Sequence, residues 1–102
     1  MPTLVLPSMV AGRDLADELA QRIDGELDGA EVVVDSRRLV SASPSFSAQL
    51  VKRLLQDGQA RVVRVNGAPD SFAAYLMDAA RRLGVEERLE VTGRRQAASL
   101  AP

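Results

Sequence analysis

The stretch "VVVDSRRLVSASPSFSAQLVKRLL" (residues 32–55) reads as a strand, a loop and a helix in succession. With Glu31 it opens as "EVVVD", a continuous β-branched run of the kind expected for a strand covered on both faces. Its second half, "SPSFSAQLVKRLLQDG", sets Phe46, Leu50, Val51, Leu54 and Leu55 on one side of a helix, with Gly58 just past the end. Four serines (Ser41, Ser43, Ser45 and Ser47) crowd around Pro44 where strand hands over to helix.

Working outward, the same alternation repeats. "TLVL" (3–6) is a short β-type run closed by Pro7. "GRDLADELAQRIDGEL" carries Leu15, Leu19, Ile23 and Leu27 at four-residue steps, predicting one amphipathic helix that stops at Asp28-Gly29. Downstream, "RVVRV" is a strand stopped by a tight turn at Asn66-Gly67. "PDSFAAYLMDAARRLG" stripes Phe72, Leu76, Ala79, Ala80 and Leu83 and ends at Gly84, and "RLEVT" (88–92) is a last strand. The order β-α-β-α-β-α-β predicts an α/β domain: a small, mostly parallel sheet of about four strands with helices packed on it. Residues 1–92 form that domain, and "GRRQAASLAP" (93–102) is expected to be a flexible tail. Sites in such open sheets gather beyond the carboxyl ends of the strands, where the serines lie.

Composition narrows the chemistry. The 102 residues suffice for one core. The chain has no Cys and no His, so thiol nucleophiles, His bases and nearly every transition-metal site are excluded, and no cofactor is expected. Net charge is −1 with signs interspersed, and the aromatics are only Phe46, Phe72 and Tyr75, which argues against a nucleic-acid partner. No apolar run approaches the roughly 18 residues of a membrane span. The N-terminus lacks a basic n-region, so a cytoplasmic protein is expected. Lys52 is the single lysine among 13 basic residues, a bias that points to a high-GC bacterial gene. No phosphate-binding glycine loop is present.

The serines separate on physical grounds. Ser43 before Pro44 is an N-cap, since Ser supplies the capping oxygen and Pro suits the first helical position. On a helical wheel with Phe46 at zero, Ser47 falls at about 100 degrees, inside the apolar arc. Ser45 falls at about −100 degrees, among Gln49, Lys52 and Gln56 on the wet side. A hydroxyl in the first turn sits near free N–H groups and the positive end of the dipole, where phosphate is well received. Ser45 is therefore the phosphoacceptor candidate, with Ser43 second. Its plainer reading is an ordinary solvent-facing serine.

The segment "SPSFSAQL" after a strand ending in Asp35, with "MVAGRDLADEL" upstream, resembles the STAS-like family, divergent relatives of bacterial anti-sigma-factor antagonists. The likeness spans roughly residues 8–90. In antagonists of that family the second helix begins Asp-Ser-Ser-Gly-Leu-Gly and its second Ser is phosphorylated. Laid on this chain, Ser43 takes the Asp place, Pro44 the first Ser and Ser45 the phosphoacceptor place. The chain departs at Phe46-Ser47-Ala48, where the family has Gly-Leu-Gly, and at Ala48-Gln49, where it has an acidic pair. It also lacks the family's opening β-hairpin. The resemblance implies a non-enzymatic regulatory module that binds a protein partner, a serine kinase of histidine-kinase-like ATPase fold acting as an anti-sigma factor.

The expected partner face is the loop 36–43 with the start of the second helix, comprising Asp35, Arg37, Arg38, Ser41, Gln49 and Lys52. Asp35 would shape the loop or lie near a kinase-bound nucleotide, and Arg37-Arg38 either are solvated or grip an acidic group. Two other readings stand beside this one. One is a structural or homo-oligomerisation module in which the serines only cap and pack. The other is a small enzyme or nucleotide binder at Asp35, Arg37 and Asn66.

Overall fold

The computed structural model describes residues 2–93. The main sheet comprises β1 (Thr3–Val5), β3 (Glu31–Asp35), β5 (Val62–Ala68) and β6 (Leu89–Gly93), in the order β1-β3-β5-β6 with every pairing parallel. Three α-helices connect them: α1 (Arg13–Gln21), α2 (Pro44–Val51) and α3 (Asp70–Leu83). Two short strands, β2 (Met9–Val10) and β4 (Ser41–Ala42), pair in parallel as a separate ribbon. The domain is thus α/β, as the alternation predicts.

Each new strand of the main sheet adds to the same side of the last. Successive right-handed crossovers then carry all three helices to one face. This corrects the expectation that "EVVVD" is covered on both faces. Val32 and Val34 are fully buried, whereas Glu31, Val33 and Asp35 face the uncovered side and are half-buried. Across the sheet that side carries the row Thr3, Val33, Arg64, Glu90, whose charges pair laterally, Arg64 Nε reaching Glu90 at 2.8 Å. The core lies between sheet and helices, built on Phe46, Phe72, Leu6, Leu27, Leu50 and Leu76.

Four boundaries and the winding of the second helix differ from the sequence reading. The first helix ends at Gln21, and Asp24–Glu26 form a separate 3-10 turn, because Asp24-Gly25 are poor helix formers. Leu27 still reaches the core, where it occupies the space a side chain at position 58 would need. The second helix continues past Val51 with π winding over Lys52–Asp57, closed by Gly58 N–H on Arg53 C=O at 2.9 Å. That winding keeps Leu54 and Leu55 down on the sheet while Arg53 turns to Asp17 and Asp24 of the α1 side.

Asn66-Gly67 does not stop β5. Gly67, at φ +70°, makes a bulge and pairing with β6 resumes at Ala68. A Cβ at Gly67 would lie 2.6 Å from Arg37 Cγ, so the glycine also admits the loop after β3. The strand β6 begins at Leu89, one residue late, since Arg88 is drawn back to the Leu55 and Ala60 carbonyls at 2.8 and 3.1 Å. Gly93, placed in the tail on sequence, closes β6, and the remaining tail residues 94–102 lie outside the described residues.

Candidate functional site

The site is organised by Ser43. Its Oγ accepts the Phe46 N–H at 3.1 Å, capping α2 as expected. It also accepts the Gly12 N–H at 3.1 Å, so one hydroxyl serves the starts of both α1 and α2. Its backbone N–H donates to Val10 C=O at 3.1 Å, tying the cap to β2. The second bond was not legible from sequence, because nothing in "SASPS" announces a partner 31 residues upstream.

Ser45 and Ser47 separate as the wheel predicts. Ser47 is fully buried, its Oγ donating to Ser43 C=O at 2.9 Å. Ser45 is exposed, and its Oγ lies 3.2 Å from Ser43 Oγ. Both lone pairs of the Ser43 oxygen are taken by backbone N–H groups, so the Ser43 hydroxyl is the donor in this contact. The Ser45 oxygen is then an acceptor whose own proton is uncommitted. Of the three hydroxyls at the helix head, Ser45 alone is both reachable and chemically unspent.

The residues expected to form one partner face fall into two places. Asp35, Arg37 and Arg38 line an opening of about 570 Å³ beside Val5, at the carboxyl end of β1 and β3. There Asp35 accepts three hydrogen bonds from Arg37: the backbone N–H at 3.1 Å, Nε at 2.9 Å and a terminal nitrogen at 2.8 Å. Those bonds hold the Asp35 carboxyl at about 2, and hold Arg37 protonated. The pair closes the loop on itself. Ser36, which the sequence reading passed over, is fully buried and anchors the same loop, its Oγ donating to Asn66 C=O at 2.8 Å.

Ser45, Gln49 and Lys52 instead line a groove of about 320 Å³ on the outer face of the helical layer, with Ala48. Arg13 of α1 lies on one side and Ala79, Arg82 and Leu83 of α3 lie on the other. The spacing 45, 48, 49, 52 is one stripe of a helix, about 10 Å long at 1.5 Å per residue. Gln49 is only partly available, since its Nε2 donates to Asp17 Oδ1 at 2.8 Å and so bridges α2 to α1. Ser41 is exposed on β4 and lines neither place. Arg13 and Arg82 were missed from sequence, because neither lies near the serines along the chain.

A third feature adjoins the strand-end opening, which Val5 lines. Among the described residues the exposed large apolar side chains are Val5, Met9 and Val40, at 54%, 71% and 73% exposure, all on the β1–β2 and β3–β4 connections or strands at the carboxyl end. Among the described residues no helix is long and apolar enough to cross a membrane. No family model, curated protein or solved structure matches the chain.

Proposed function

We propose that this chain is a cytoplasmic, non-enzymatic regulatory module that binds a protein partner around the head of α2 and is switched by phosphorylation of Ser45. The observation that carries the reading is the contrast among the three hydroxyls. Ser43 is consumed as a double cap and Ser47 is buried, while Ser45 is exposed with a free proton. The resemblance of "SPSFSAQL" to the STAS-like pattern selects the same residue, and the serine kinase of histidine-kinase-like ATPase fold is the partner it implies.

The local chemistry suits the step. An attacking Ser45 oxygen gives its proton to a base on the kinase and forms a bond to the γ-phosphorus of ATP, with ADP leaving. The Ser43 O–H donates to that oxygen as negative charge develops on it. The product brings about −1.5 to −2 charges to the first turn of α2, where the dipole receives it, and changes the charge of any surface docked there.

The test is phosphate mapping. The protein is isolated from its source cells, and the tryptic peptide 39–52, which holds all four serines, is sequenced by mass spectrometry. Phosphate at Ser45 supports the reading. Phosphate confined to another serine, or none under any growth condition, removes the switch. A second reading, a self-associating structural module without phosphorylation, is favoured by exposed Val5, Met9 and Val40. It predicts a concentration-dependent dimer in sedimentation that Met9→Asp abolishes and Ser45→Asp leaves intact.

A further inference from the structure

We infer that the groove along the outer stripe of α2 is the docking channel for an acidic segment of a protein partner, read by Arg13, Lys52 and Arg82. The inference rests on the protein-binding reading above and supplies the partner's chemistry.

Charge complementarity is the argument. The groove lining holds Arg13, Lys52 and Arg82 and no carboxylate, in a chain whose formal net charge is −1. Arg13 and Lys52 make no ion pair with any described residue. Arg82 pairs only with Asp78, one turn back on its own helix at 2.6 Å, with both side chains more than half exposed. Such a surface pair is worth little, so an incoming carboxylate can replace Asp78 at small cost. By contrast, Arg53 is held by Asp17 and Asp24, and Arg64 by Glu31 and Glu90, all acids of other elements. Arg22 and Arg38 are likewise in no ion pair with a described residue, but only in the groove do two such cations and a weakly paired third line one depression.

Shape selects a protein segment over a small anion. Between the cations the lining is apolar or small, with Ala48, Ala79 and Leu83. The α2 stripe spans two helical turns, about 10 Å. A segment that sets carboxylates at its edges and small or aliphatic side chains at its centre matches that sequence of chemistries, as in helix-in-groove recognition. Ser45 stands within the lining. Phosphate there would put two negative charges among the three cations and oppose the acidic segment directly. The groove thus also explains how a modification at position 45 could release a partner without unfolding anything.

The test uses unphosphorylated, isotope-labelled protein and two synthetic probes: an amphipathic 12-residue peptide of Glu and Leu, and the same peptide with Lys for Glu. Amide shifts are followed by NMR at low and moderate salt. The expected result is a saturable shift at Ser45, Ala48, Lys52, Ala79 and Leu83 with the Glu peptide alone. Affinity should weaken at least tenfold in Arg13→Glu/Lys52→Glu and severalfold in Ser45→Glu, with thermal melting of each variant matched to the parent. Shifts confined to Val5, Met9 and Val40, equal binding of both peptides, or no shift would overturn the inference. So would an oligonucleotide that shifts the same amides while the Glu peptide does not. No kinase or ATP is present, so failure here leaves the phosphate map standing, and an empty phosphate map leaves this result standing.

Discussion

Two charged regions flank the head of α2, and they use their charges in opposite ways. At the strand end, Arg37 makes three bonds to Asp35 and the loop after β3 is locked by its own ion pair. In the groove on the helical face, Arg13 and Lys52 make no ion pair with any described residue. The sequence "VDSRR" advertises the first region and conceals the second, whose cations come from three helices. Local charge clusters tend to satisfy themselves through short contacts two residues apart. Charges gathered from distant segments have no such local partner, and a binding surface is more readily built from them.

The comparison can be broken by perturbing what holds the two regions in place. The largest effect is expected at Phe46, fully buried on the inner side of the helix whose outer side is the groove. Phe46→Ala should cost about 3–5 kcal/mol in urea unfolding through loss of burial and the cavity left behind. Next is Ser43→Ala, which removes the cap of α2 and strands the Gly12 N–H. It should cost about 1–2 kcal/mol, at the upper end for a helix cap because two backbone donors lose their acceptor. A cost of a few tenths would mean that the α1 contact contributes nothing.

The paired character of the strand-end region is read by pH. The Asp35 carboxyl is held at about 2 in the fold, below its usual value of 3.8, by the Arg37 bonds. A depressed carboxylate contributes stability that is complete above its unfolded value and is lost as pH falls through the folded one. The parent should therefore lose stability between about pH 4 and pH 2 that Asp35→Asn does not, in parallel urea titrations. The smallest effect belongs to the groove. Ser45→Ala should change folding stability by no more than about 0.5 kcal/mol, because Ser45 is exposed and water can replace its oxygen as acceptor of the Ser43 hydroxyl.

Much of the fold was legible because its signals are local. Strand runs, four-residue apolar steps, the Ser-Pro cap and the exposure of Ser45 all follow from neighbours along the chain. What escaped was non-local. The ribbon of β2 and β4 has two residues on each side and no pattern to betray it. The bulge at Gly67 looks like a turn until β6 is present to resume pairing at Ala68. The open sheet face depends on which side each crossover takes, and the groove depends on three helices lying side by side. The candidate site was therefore half visible: its hydroxyl could be chosen from the sequence, and its cations could not.

Since the chain has no cysteine, thiols placed at the three serines give an unobscured view of their surroundings. Rates of reaction with a small disulfide reagent should be compared for Ser43→Cys, Ser45→Cys and Ser47→Cys in the native protein. The thiol at 45 should react at close to the rate of an unfolded control, and the thiol at 47 at least a hundredfold more slowly. Protection at 45 equal to that at 47 would contradict the account.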